Sequence, residues 1–182
     1  MRDDVSALIL AGGKATRLGG VDKRELVIEG RTIFERQVAL LREAVAEIVV
    51  SSPKDIAGFR TVRDAIVDGG PLAGIAAGLA GARTPWVLVL AGDMPYLTRD
   101  VIERLLARTA ADIDAVGIRI AGLPEPLVCV LSVSACLPIV QARLARGDLK
   151  ASRLLTAGDL RVAWLDETDA RAFGSVNVPA DL

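Results

Sequence analysis

A chain of 182 residues suits one domain, because single cores commonly run from about 50 to 250 residues before splitting. Hydrophobic residues make up 52% of it and aromatic ones 3%, so Ala, Val, Leu and Ile must build the core, which fits layered sheet and helix better than an aromatic-rich β-sandwich. Twenty-two Lys and Arg against 23 Asp and Glu, with no sustained charged block, give no sign of a nucleic-acid surface, and no apolar run approaches the ~20 residues that cross a membrane.

In chain order, residues 5–11 form a nearly continuous apolar run that stops at Gly12-Gly13. Unbroken rather than alternating hydrophobicity predicts a strand covered on both faces, as in a parallel sheet. Arg2-Asp3-Asp4 ahead of it lacks the basic character of a signal peptide. Thr32 is placed to cap a helix in which Ile33, Phe34, Val38, Leu40, Leu41 and Val45 recur at helical spacing, and residues 47–51 give a second strand, completing a βαβ unit. Pro71 suits a first helical turn, so residues 72–82 read as a helix, followed by a strand at 86–91. Thr98 caps a further helix at 99–108, striped by Val101, Ile102, Leu105 and Leu106.

After residue 110 the pattern changes. Residues 115–120 and 126–133 read as two strands around the turn Ala121-Gly122-Leu123-Pro124, which predicts an antiparallel pair. Helices at 135–146 and 150–155 precede a last strand at 160–165. Cys129 and Cys136 match no zinc or redox spacing and read as buried reduced thiols. The expectation is one cytoplasmic α/β domain over residues 1–182, a three-layer α/β/α sandwich with a mostly parallel central sheet.

In such a sheet ligands bind beyond the carboxyl ends of the strands, so the segments after each strand carry the chemistry. After the first strand, residues 12–23 hold four glycines and the cations Lys14, Arg17 and Lys23. Glycines let backbone amides approach phosphate oxygens, and Lys or Arg neutralises the remaining charge. Neither a Walker A loop nor a dinucleotide fingerprint can be read there, and a bare flexible turn would not need the cations. Ser51 ends the next strand, and Asp64 suits either a ribose or base contact or a turn, whereas Asp68 suits the turn. Asp93, in Leu90-Ala91-Gly92-Asp93-Met94-Pro95, follows a buried strand directly, a position from which a carboxylate can hold magnesium with substrate phosphates.

Leu10-Ala11-Gly12-Gly13, Arg17-Leu18-Gly19-Gly20, Asp22-Lys23, Gly70-Pro71-Leu72-Ala73-Gly74 and Gly92-Asp93-Met94-Pro95 together resemble the nucleotidyltransferases, most closely the molybdenum cofactor guanylyltransferases. Pro124-Glu125-Pro126-Leu127, Arg146-Gly147-Asp148-Leu149 and the closing residues 173–182 resemble later segments of that family. The resemblance implies a Rossmann-like nucleotidyltransferase fold, with a nucleotide-binding half at about 1–110 and an acceptor-binding half at about 111–182. It implies transfer of GMP from GTP to molybdopterin, with magnesium as cofactor, no nucleic-acid or membrane partner, and molybdoenzyme-maturation proteins as candidate protein partners.

Position by position, it implies that Leu10, Ala11 and Gly12 contact the nucleotide, Lys23 its phosphates, Asp64 the nucleoside and Asp93 the nucleotide and magnesium; the residues themselves add Gly13 and Arg17 at the phosphates, Ser51 at the nucleotide, and Asn177 either at the acceptor or as a turn or cap residue. The family commonly carries Asn where Ser51 and Ser175 stand, which leaves base choice and acceptor contacts open. Cytidylyl transfer, activation of a sugar phosphate or phospholactate, and a catalytically silent nucleotide-binding module stay open as alternatives. A phosphate nucleophile is already ionised at neutral pH, so the absence of histidine does not argue against transfer.

Overall fold

The computed structural model describes residues 1–12, 25–64, 66 and 69–174. In chain order they form β1 (Arg2–Leu10), β2 (Val27–Ile28), β3 (Arg31–Thr32), α1 (Ile33–Arg42), β4 (Val45–Ser51), β5 (Arg60–Val62), α2 (Gly70–Ala80), β6 (Trp86–Ala91), α3 (Arg99–Leu106), β7 (Ala115–Ile120), β8 (Leu123–Ser132), α4 (Val133–Ala145) and β9 (Val162–Glu167). Thr32 starts α1 through a reciprocal cap: its hydroxyl accepts the Glu35 amide at 3.1 Å, and the Glu35 carboxylate accepts the Thr32 amide at 2.8 Å. Thr98 caps α3 through the Val101 amide.

Seven strands make one sheet in the order β5-β4-β1-β6-β8-β7-β9, and β2 and β3 form a separate hairpin. β4 and β6 flank β1 in parallel, β5 extends β4 in parallel, and β9 extends β7 in parallel, whereas β8 pairs antiparallel with both β6 and β7. Six strands therefore point one way and β8 alone runs against them. Its first residues lie at the edge where its neighbours end.

Side chains alternate across the sheet and build a core on each face. Ala7 and Ile9 of β1 pack with Val38 and Leu41 of α1 and Val101, Ile102 and Leu105 of α3. Leu8 and Leu10 pack on the other face with Leu72, Ile75 and Leu79 of α2 and Val140 of α4. This is the expected three-layer α/β/α arrangement, with two helices on each face.

Three local expectations change. The sharp turn between β7 and β8 is Ala121-Gly122 alone, both at positive φ (49° and 83°), and Leu123 and Pro124 already belong to β8. Primed two-residue turns match the twist of the strands they join, which is why the hairpin tightens there. The helix expected at 150–155 is only a 3-10 turn over Ala151–Arg153, because Ala151, Leu154 and Leu155 are pinned in the α2–α4 core before a second turn can form. β1 begins at Arg2 rather than at residue 5, because the Arg2 amide bonds the Ala44 carbonyl and its guanidinium grips Asp4 and the Leu106 carbonyl.

Candidate active site

Leu10, the last residue of β1, is flanked in register by Ser51 of β4 and Ala91 of β6. Beyond the ladder the Ala11 amide donates to the Ser51 carbonyl at 2.9 Å, and the Gly92 amide donates to the Leu10 carbonyl at 3.1 Å. A Cβ on Gly92 would stand 2.8 Å from that same carbonyl oxygen, so a side chain there collides with backbone. The missing side chain lets the turn after β6 close onto the end of β1, and this brings half-buried Asp93 to the edge where Ala11 and exposed Gly12 open the glycine segment.

On the other flank, β5 is only three residues long and is secured by Arg60, whose guanidinium makes two 2.8 Å bonds to Glu47 of β4 and one of 2.7 Å to the Gly81 carbonyl. Asp64 follows β5 and accepts the Ser51 hydroxyl at 3.0 Å. Ser51 is buried, so its hydroxyl fixes the Asp64 carboxylate while the backbone of the same residue holds Ala11. α2 crosses tightly above the pair: a Cβ on Gly74 would lie 2.8 Å from the Ser51 hydroxyl and 3.1 Å from the Leu10 side chain.

Two further residues complete this edge, and sequence reasoning missed both. Gln37 of α1 is 2% exposed and directs its amide nitrogen to the Ala91 carbonyl at 2.7 Å and the Met94 carbonyl at 3.2 Å, bracketing Gly92-Asp93 from both sides. The available signal was a polar residue one turn from Ile33 and Leu41 on the buried stripe. Glu125 lies near the start of β8. The β6–β8 ladder pairs Trp86 with Ser132 through to Leu90 with Val128, and Glu125 lies beyond its end, near enough to Asp93 to feel its charge. Along β7 the register jumps, Gly117 facing Cys129 and Ile118 facing Glu125, so the intervening residues bulge. The Glu125 carboxylate accepts the bulge amide of Leu127 at 3.0 Å. Burial pushes the Glu125 carboxyl above its ordinary value, and the charge of Asp93 adds to the rise.

The structure thus brings Leu10, Ala11, Gly12, Ser51, Asp64 and Asp93 to one edge of the sheet. Gly13, Lys14, Arg17, Lys23, Asp68, Ser175 and Asn177 lie outside the described residues. Among the described residues no cluster of three or more His, Cys, Asp and Glu is set to hold a metal, and no helix is long and apolar enough to cross a membrane. Both cysteines are buried free thiols, as expected, and desolvation pushes Cys136 up to about 12 and Cys129 higher still. A groove of about 630 Å³ between α2 and α4, lined by Ala73, Ala76, Ala77 and Leu144, contains none of the edge residues.

Known proteins resemble this chain in sequence and fold. The model of the MobA-like NTP transferase domain matches residues 7–162. A molybdenum cofactor guanylyltransferase from Pseudomonas putida is 33% identical over 187 residues, covering 100% of this chain and 97% of the relative, and one from Cupriavidus taiwanensis is 31% identical over 193 residues, covering 100% and 96%. The crystal structure of a molybdopterin-guanine dinucleotide biosynthesis protein A from Archaeoglobus fulgidus superposes with a TM-score of 0.77 at 23% identity, covering 97% of this chain and 94% of that one. The family-model match over most of the chain and the similarity to guanylyltransferases along its whole length lead to one conclusion: this chain belongs to the family of MobA-like NTP transferase domains.

Proposed function

We propose that the protein transfers GMP from GTP to the terminal phosphate of a molybdopterin-type acceptor and releases pyrophosphate. The carrying observation is the seating of Asp93 beside the end of β1, with Gly92 bonded to Leu10, in a chain that matches guanylyltransferases from end to end. In this reading an acceptor phosphate oxygen bonds to the α-phosphorus as the bond from that phosphorus to the departing pyrophosphate breaks. Positioning and charge neutralisation do most of such work. Ala11, Gly12 and Gly13 offer backbone to the triphosphate, Arg17 and Lys23 neutralise the leaving pyrophosphate, the Ser51-held Asp64 takes the nucleoside, and Asn177 orients the acceptor.

Magnesium fits the oxygen donors at this edge, since it is usually held by one or two carboxylates together with substrate phosphates. Asp93 would hold it, with Glu125 of β8 near enough to feel its charge. When bound, the ion supplies positive charge to the phosphate oxygens. Residues from about 111 onward, which include the β7–β8 hairpin, form the acceptor side. Work in the cytoplasm belongs to the same reading, and two buried free thiols agree with a reducing compartment. Molybdoenzyme-maturation proteins are the proposed recipients of the product.

The test supplies purified protein with GTP, CTP or ATP, magnesium and molybdopterin, and follows pyrophosphate together with the dinucleotide product. Release from GTP that depends on the acceptor is expected, while CTP preference, or GTP binding without release, would overturn the proposal. Asp93→Asn should lower the rate by about 10²–10³ with an unchanged circular dichroism spectrum. Near-normal turnover by this variant would remove Asp93 from the metal site.

A further inference from the structure

Gln37 is a buried polar residue on a helix face otherwise given to Ile33, Val38 and Leu41. One amide nitrogen serves two carbonyls, those of Ala91 and Met94, and these flank the two residues Gly92 and Asp93. The other end of the side chain has no counterpart: among the described residues the Gln37 carbonyl oxygen is buried without a hydrogen-bond partner. An orphaned buried acceptor is destabilising, and an apolar residue of similar volume would avoid that penalty. The donor end must therefore give something that packing alone does not. What it gives is geometric, since the turn leaves the ladder at Ala91 and has no β8 partner to hold its carbonyls.

Resting on the nucleotidyl-transfer reading, the geometry points to Gln37 as a positioning residue that locks the turn carrying Asp93, and so sets where Asp93 meets the triphosphate. It touches no substrate. Its action is to fix the backbone on both sides of a carboxylate whose displacement by about 1 Å would cost roughly a hundredfold in rate.

Two variants separate this role from mere support of the core. Gln37→Met keeps the volume and removes the donor. It should lower kcat by about ten- to a hundredfold while GTP affinity stays within about twofold, and it should speed amide hydrogen exchange across residues 91–95. Gln37→Glu keeps the shape but faces two carbonyls with a carboxyl that can donate only when protonated, so its activity relative to wild type should climb as pH falls below neutral. A folded Gln37→Met with normal kcat and normal exchange protection overturns the inference. If that variant does not fold, a flat relative pH profile for Gln37→Glu overturns it instead. Exchange reads the turn whatever the reaction, so a wild-type protein that releases no pyrophosphate sinks the functional reading separately from this one.

Discussion

The charge of Asp93 is felt by Glu125 of β8, and in the proposed function two such carboxyls beside a triphosphate would create negative charge that a divalent cation relieves. Glu125→Gln keeps an acceptor for the Leu127 amide and removes only the charge. It should raise the magnesium concentration needed for half-maximal pyrophosphate release by about tenfold. An unchanged magnesium requirement would confine Glu125 to bracing the bulge. The two missed residues show what sequence withholds at this scale. The place of Asp93 at the sheet edge was legible because a carboxylate follows an unbroken apolar run. Gln37 was not, because its partners are backbone carbonyls 54 and 57 residues away and carry no side-chain signature. Glu125 needed the register of β8 against β6, which composition does not encode.

Among the elements, β7 and β9 are joined just before their first residues by Asp114, which accepts the Arg161 guanidinium at 2.6 and 3.0 Å and the Arg161 amide at 2.9 Å. The Arg161 guanidinium, helped by its amide, draws the Asp114 carboxyl down to about 2 from 3.8. Because the folded carboxyl titrates below the unfolded one, its stabilisation is complete above 3.8 and fades as pH falls towards 2. Solvent screening keeps this modest, since Arg161 is exposed. Asp114→Asn should give a shallower loss of stability over that acid range, followed by thermal unfolding; the same slope as wild type would assign the acid sensitivity elsewhere. Strands and long helices were legible from apolar runs and from caps such as Thr32 and Thr98. The β2–β3 hairpin was not, because strands two residues long show no period. Nor was the short turn at Ala151–Arg153, where three buried apolar residues mimic a helical stripe.

Over the whole molecule, the five pairs between β6 and β8 join the part of the sheet expected to hold the nucleotide to the part expected to hold the acceptor. Both cores run across that seam: Leu88 and Leu90 share one with Val116 and Val130, and Val87 and Val89 share the other with Ala115 and Cys129. The chain should therefore unfold in one step. Trp86 lies on β6 and Trp164 on β9, so Trp86→Phe and Trp164→Phe leave one fluorescent reporter on each side of the seam. Their urea midpoints should coincide with each other and with circular dichroism. Separate midpoints would divide the chain into two folding units. The layered architecture was legible from the order of the elements. The place of β8 between β6 and β7 was not, because an antiparallel pair can be read from sequence without revealing which neighbour it adopts.

The reversed direction of β8 has a corollary for the acceptor side. Residues inserted between Ala121 and Gly122 would extend the hairpin at its tip, since both turn residues are exposed and the ladder closes beside them at Ile120 and Leu123. The grip on Leu10 by Gly92 and the clamp by Gln37 of α1 lie outside that hairpin and are not rethreaded by such growth. In the proposed function, a longer or chemically altered fingertip would therefore change what the acceptor side meets while leaving the turn that carries Asp93 in place.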